Sequence, residues 1–222
     1  TTQNDFNYFI LGMNRYTDYI ADPNNYERGF MSQPVPDALD VYRDILQTHT
    51  NVTIVSIGSL YNLDRLLVAE PDLVSRSVAQ LVVMGGHYPT GLIPNPEYNL
   101  TLRGDAAQRV AAGWPTPIVF TALGDDVITG SVLTNDAVVA ADNPIRIGYE
   151  KGTSSVRWDT VFKGESQPYH RPSWDQIAVL YAVEGCGSTF VKHRGNNSIF
   201  ACSLLLPIPP LMLPVQIVAA CN

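Results

Sequence analysis

The sequence predicts an α/β fold: a Rossmann-like, mostly parallel sheet with helices on both faces. Three observations predict it. Short apolar runs at Val52–Ile57, Leu81–Met84 and Pro117–Phe120 alternate with longer stretches of helical character, the pattern of βαβ units. The runs are apolar at most positions instead of at every second one, as strands covered on both faces require. Glycines close the first two of them, at Gly58-Ser59 and Gly85-Gly86, where the chain must turn from strand to loop.

Each element follows in order. Pro36 near a first turn loses no needed hydrogen bond. A helix is expected from there to about His49, with Ala38, Val41, Tyr42, Ile45 and Leu46 on one face. Val52–Ile57 is β-branched and of strand length. Leu60–Ala69 reads as a helix closed before Pro71, and Asp72–Val78 as a short helical piece. Leu81–Met84 is the second strand. Gly104–Ala112 is helical, with Asp105 complementing the positive end of its dipole. Pro117–Phe120 is the third strand. Ser173 caps a helix that carries Asp175 in its first turn and runs to about Glu184. In such sheets ligands sit beyond the carboxyl ends of the strands, which directs attention to 58–62, 84–87 and 122–126.

Composition narrows the function classes. The 222 residues carry 21 acidic and 14 basic side chains, a net charge of -7, and are 45% hydrophobic. The hydrophobic share argues against a disordered chain, and the acidic balance against nucleic-acid binding, which needs a basic surface. Neither a G-x-x-x-x-G-K-S/T nor a G-x-G-x-x-G loop is present, so the sequence offers no P-loop or dinucleotide fingerprint. Arg194 is the last charged side chain. The apolar stretch 199–220 is long enough to suggest a membrane span. Pro207, Pro209, Pro210 and Pro214 interrupt it, and a broken helix leaves backbone groups unsatisfied in lipid. A buried strand or an irregular apolar tail is the expectation there, not a membrane span. The three cysteines, Cys186, Cys202 and Cys221, lack metal-site spacing and read as buried or incidental thiols, with a Cys202–Cys221 bridge open in an oxidising compartment. Sequons begin at Asn51, Asn99 and Asn196. They lean towards secretion and leave a cytoplasmic location open.

Five ordered segments then become specific: Val52–Leu63 (VTIVSIGSLYNL), Val82–Gly86 (VVMGG), Glu97–Asn99 (EYN), Gly104–Ala107 (GDAA) and Pro172–Leu180 (PSWDQIAVL). Over about 25–197 the chain resembles the inosine–uridine-preferring nucleoside hydrolases. The resemblance implies a domain over 1–198 that cleaves the N-glycosidic bond of ribonucleosides, followed by an apolar, proline-rich tail over 199–222. It implies a bound calcium ion that holds the ribose hydroxyls and activates a water. Asp175 falls on a metal-ligating aspartate, and Tyr61 on a residue that ligates through its backbone carbonyl. Glu97 and Asn99 fall on residues that hydrogen-bond the ribose, and Met84 on a pocket residue beneath it. A homo-oligomer is expected on the same ground.

The chain also departs from the family pattern. The aspartate cluster D-x-D-x-x-x-D-D, which supplies most metal ligands and the general base, has no counterpart among Asp5, Asp18, Asp22, Asp37, Asp40 and Asp44. The expectation is a truncated member lacking the first strand and helix, whose tail covers the apolar surface so exposed. Trp174 stands where many members carry a histidine acid; an indole donates no proton at neutral pH but stacks on a base. No catalytic residue is assigned, and a catalytically inactive binding or structural protein is the alternative function. His87 and Asp125-Asp126 lie at strand ends, where either structural or functional roles fit. Asn99 cannot be both ribose ligand and glycan acceptor, leaving Asn51 and Asn196 as the glycosylation candidates.

Overall fold

The computed structural model describes residues 20, 22, 24–25, 34–86, 97–121, 127–130, 132–133, 137–152, 171–187, 189–199 and 211–220. His87, Asp125, Asp126, Cys202 and Cys221, with the expectations attached to them, lie outside this set. The chain divides into two compact units, 36–124 with 174–222 and 1–35 with 125–173.

The first unit is built on a five-stranded sheet. Its strands are β1 (Val52–Ser56), β2 (Val78–Val83), β3 (Ile118–Phe120), β6 (Phe190–Ile199) and β7 (Leu211–Ala220), in the order β1-β2-β3-β7-β6. The pairs β1–β2, β2–β3 and β3–β7 are parallel, and β6–β7 is antiparallel. The expected mostly parallel sheet is therefore present. Its helices are α1 (Ala38–Thr48), α2 (Tyr61–Ala69), α3 (Pro71–Ser77), α4 (Tyr98–Thr101), α5 (Gly104–Gly113) and α7 (Trp174–Glu184).

Alternation along the strands assigns the two faces. Leu81 and Val83 of β2 and Phe120 of β3 join one core cluster with Leu46, Leu66 and Val110 from α1, α2 and α5. Val82 and Val119 are fully buried outside that cluster. They face the opposite side, where α7 packs against β1 and β2 and buries Ile177, Ala178 and Tyr181. Burial on both faces is why β2 and β3 read as continuous apolar runs.

Several local expectations change. Helix α1 begins after Asp37, whose carboxylate accepts the Leu39 N–H at 2.8 Å, so Pro36 precedes the cap. Its inward face is Leu39, Tyr42 and Leu46, while Val41 and Ile45 are exposed. The expected stripe is rotated because several registers of apolar residues satisfy a 3.6-residue period in so short a helix. Strand β2 starts three residues early, at Val78, directly after α3. The last charge, Arg194, and the composition change at Gly195 fall inside β6, so composition marks no element boundary there. In β7, Pro214 pairs with Asn196, and β3 flanks the strand only at Gln216 and Ile217; the proline lies beyond the β3 pairing, where fewer ladder bonds are at stake. No helix among the described residues is long and apolar enough to cross a membrane.

The second unit contains the antiparallel pair β4 (Ile128–Thr129) and β5 (Arg171–Pro172), and helix α6 (Pro144–Gly152). Arg146, buried within it, donates to Glu150 at 2.7 Å and to the Val139 carbonyl at 2.8 Å. Thr129 Oγ1 lies 2.8 Å from Ser173 Oγ and 3.0 Å from the Tyr149 hydroxyl.

Candidate functional site

The carboxyl ends of β1, β2 and β3 lie side by side, held by bonds that continue the ladder. Met84 N–H donates to the Ser56 carbonyl and Thr121 N–H to the Val83 carbonyl, each at 2.8 Å. Beyond β2 the chain turns through Met84-Gly85-Gly86. Gly86 has φ +87°, a left-handed conformation that favours glycine.

Segment 97–100 folds against this turn. Glu97 caps α4 with its side chain: Oε1 accepts from Asn99 N–H and Oε2 from Leu100 N–H, both at 2.9 Å. A carboxylate suits that place because it meets unpaired N–H groups at the positive end of the helix. Asn99 is 9% exposed. Its Nδ2 donates to the Met84 carbonyl at 3.1 Å and lies 2.9 Å from the Met84 sulfur. A Cβ placed on Gly85 would stand 3.1 Å from Glu97 Oε2 and 3.4 Å from Leu100 Cγ. Gly85 is thus set by close approach and Gly86 by its φ. Three of the sequence-predicted residues, Met84, Glu97 and Asn99, are brought together here. The buried Nδ2 of Asn99 is engaged, so a glycan at its sequon is incompatible with this arrangement.

Tyr61 opens α2 just after the loop that follows β1, and its N–H points to Ser59 Oγ at 3.4 Å. The Arg103 guanidinium lies over its ring, 4.5 Å from the centroid. Arg103 in turn bonds Asp105, and with Arg109 it holds that carboxyl below the usual range. Arg109 bridges Asp105 to the buried Asp64, which it grips with two bonds of 2.8 and 2.6 Å. That fork, with the second carboxylate at Asp105, raises the already high pKa of the guanidinium. Sequence reading missed this network. The signal was faint: Asp105 and Arg109 are four apart on a helix, but Asp64 is distant in sequence.

Trp174 and Asp175 occupy the first turn of α7, both half-buried. Asn51 is exposed with φ +60° in the turn before β1. Asn196 is in β6, opposite Pro214. Cys186 is a free, exposed thiol, not a buried one.

An α/β domain with converging loops beyond parallel strand ends is a small-molecule binding fold. Comparison with known proteins gives its family. Residues 10–203 match the family described as inosine-uridine preferring nucleoside hydrolase, and the chain belongs to that family. It is 32% identical over 133 residues to the non-specific ribonucleoside hydrolase RihC of Klebsiella pneumoniae, covering 59% of this chain and 38% of that protein. It is 28% identical over 101 residues to the probable uridine nucleosidase 2 of Arabidopsis thaliana, covering 46% of this chain and 29% of that protein. The chain therefore spans well under half the length of these relatives. Among solved structures, an inosine-uridine preferring nucleoside hydrolase from Bacillus anthracis superposes with a TM-score of 0.61 at 19% identity, covering 91% of this chain and 67% of that one. A plant nucleoside hydrolase superposes with a TM-score of 0.60 at 16% identity, covering 90% and 68%. At those identities the superpositions establish the α/β fold.

The family generally binds a metal. Calcium takes six to eight oxygen ligands. The residues in place for it by resemblance are Asp175 and the Tyr61 carbonyl. No group of three His, Cys, Asp or Glu side chains assembles among the described residues. Two donors, the ones in place among the described residues, do not by themselves fit a calcium ion.

Proposed function

We propose that this chain forms the ribose-binding part of a nucleoside hydrolase site that cleaves the N-glycosidic bond of ribonucleosides. The observation that supports it best is the convergence of Met84-Gly85-Gly86 with Glu97 and Asn99 beyond the carboxyl end of β2. The Asn99 and Leu100 N–H groups fix the orientation of the Glu97 carboxylate. Bond cleavage builds an oxocarbenium-like sugar, and a carboxylate and an amide fixed beside the ribose stabilise the developing charge. Met84 supplies an apolar floor, and Trp174 an aromatic face for the base. Asp175, at the start of α7, and the Tyr61 carbonyl are the two metal ligands the family resemblance assigns. Calcium is the ion the family resemblance names, and these two donors alone do not complete its shell of six to eight oxygens.

A second reading has its own support: the two-donor set and the indole at position 174 favour a chain that binds ribonucleosides without cleaving them. Release of ribose from inosine or uridine, measured as reducing sugar, separates the two. Hydrolysis abolished by Asp175→Asn supports the enzyme. Saturable inosine binding with no ribose released supports the binder, and neither binding nor release overturns both.

Self-association is proposed as well, on the exposed Val179 and Val183 of α7 and Val68 of α2. Secretion is proposed on the sequons, with Asn51, which is exposed, and Asn196 as the candidate acceptors.

A further inference from the structure

Resting on the ribonucleoside reading above, we infer that Arg103 is a positioning residue for the ribose cluster, acting through the ring of Tyr61. Arg103 is the residue before α5 and follows α4 by two positions. It therefore joins the segment carrying Glu97 and Asn99 to the helix that begins at Gly104. Its guanidinium is held on two sides, by the Tyr61 ring at 4.5 Å and by Asp105 at 3.3 Å. Asp105 also accepts from Arg109 at 3.1 Å, and Arg109 forks onto Asp64. Tyr61 and Asp64 are neighbours, three apart, on α2. The contacts thus close a ring: Tyr61, Arg103, Asp105, Arg109, Asp64.

The two halves of this ring do different work. The Asp64–Arg109 fork has a buried carboxylate and ties α2 to α5. It maintains the packing of the helices. The Arg103–Tyr61 stack is half-exposed and lies at the ends of both helices. It fixes the loop after β1 against the segment that presents Glu97 and Asn99. Removing it leaves the helix packing in place and loosens the spacing of the loops around the ribose. The consequence falls on affinity and not on stability.

The test is calorimetric titration of the full chain with inosine, paired with thermal unfolding. An exposed cation–π contact corresponds to about a two- to five-fold change in binding. Arg103→Met is expected to weaken binding by about that factor, with a melting temperature within about 2 °C of the parent. Arg103→Lys keeps a cation over the ring and falls between Arg103→Met and the parent. Tyr61→Leu weakens binding as Arg103→Met does, and the double variant is no weaker than either. Parent-like affinity in Arg103→Met, no recovery with Arg103→Lys, additive losses, or a loss matched by a clear fall in melting temperature each overturn the inference. If the parent chain itself binds no ribonucleoside, the ribonucleoside reading fails and the inference falls with it. Parent binding with unaffected variants removes the inference alone.

Discussion

Gly85→Ala is the perturbation that reads the geometry of the β2 turn most cleanly. The added methyl would stand 3.1 Å from Glu97 Oε2 and 3.4 Å from Leu100 Cγ. The carboxylate cannot retreat freely, because its two oxygens hold the Asn99 and Leu100 N–H groups at 2.9 Å each. Overpacking of this kind costs about 1–3 kcal/mol. Against it stands a gain of about 0.4–1 kcal/mol from restricting the unfolded chain. The net is a destabilisation of about 1 kcal/mol, or about 2–4 °C for a chain of this size. The diagnostic is the partner variant. Glu97→Ala removes the obstructing oxygen and, as a lost helix cap, costs about 0.5–2 kcal/mol by itself. In that background Gly85→Ala should be neutral or slightly stabilising, a coupling of about 1 kcal/mol. Urea unfolding of the four proteins supplies the cycle. Additive effects would refute the claimed approach of Gly85 to Glu97, and with it the assembly of the site.

Three further outcomes are expected. Asp37 titrates below the usual carboxyl value of 3.8, through the Leu39 N–H and then Arg65, and Asp105 likewise, through Arg103 first. Stabilisation from groups lowered on folding is complete above the unfolded value and is lost as pH falls through the folded one; melting temperature should therefore drop between pH 5 and pH 3, and less so in Asp37→Asn and Asp105→Asn than in the parent. Asn51 has φ +60°, so Asn51→Val should destabilise by about 1–2 kcal/mol while Asn51→Gly is tolerated, measured by the same unfolding. When the chain is routed through a glycosylating secretory pathway, peptide mass spectrometry should find a glycan at Asn51 and none at Asn99, whose Nδ2 is held by Met84; a glycan at Asn99 in folded protein would contradict the described packing.

The sheet was legible where its strands are buried on both faces. β2 and β3 announce themselves because Leu81, Val82 and Val119 must all be apolar. Helix α7 was legible from Ser173 and the apolar run behind it. The short elements β4, β5 and α4 were not, because two to four residues carry no period. Helix α6 was missed although it is nine residues long: its sequence, Pro144–Gly152, mixes charge, glycine and apolar residues without a clear face. Strand β6 was missed for a related reason, since polar Lys192 to Ser198 gives no apolar run and its pairing with β7 is not written locally. At the site, motif order located Met84, Glu97 and Asn99, but nothing in the sequence indicated that Glu97 spends its oxygens on the backbone of α4. That use follows from where the chain turns. The Arg103–Tyr61 and Asp64–Arg109 contacts join segments about 40 residues apart, beyond the reach of any spacing rule.

The proposed site seats the ribose of a ribonucleoside at the turn beyond β2. Titration of uniformly ¹⁵N-labelled chain with inosine or uridine, followed by amide chemical shifts, tests it directly. Saturable shifts concentrated at Gly85, Gly86, Asn99 and Leu100 are expected. Shifts that leave these amides unmoved, or no shifts at all, would contradict it.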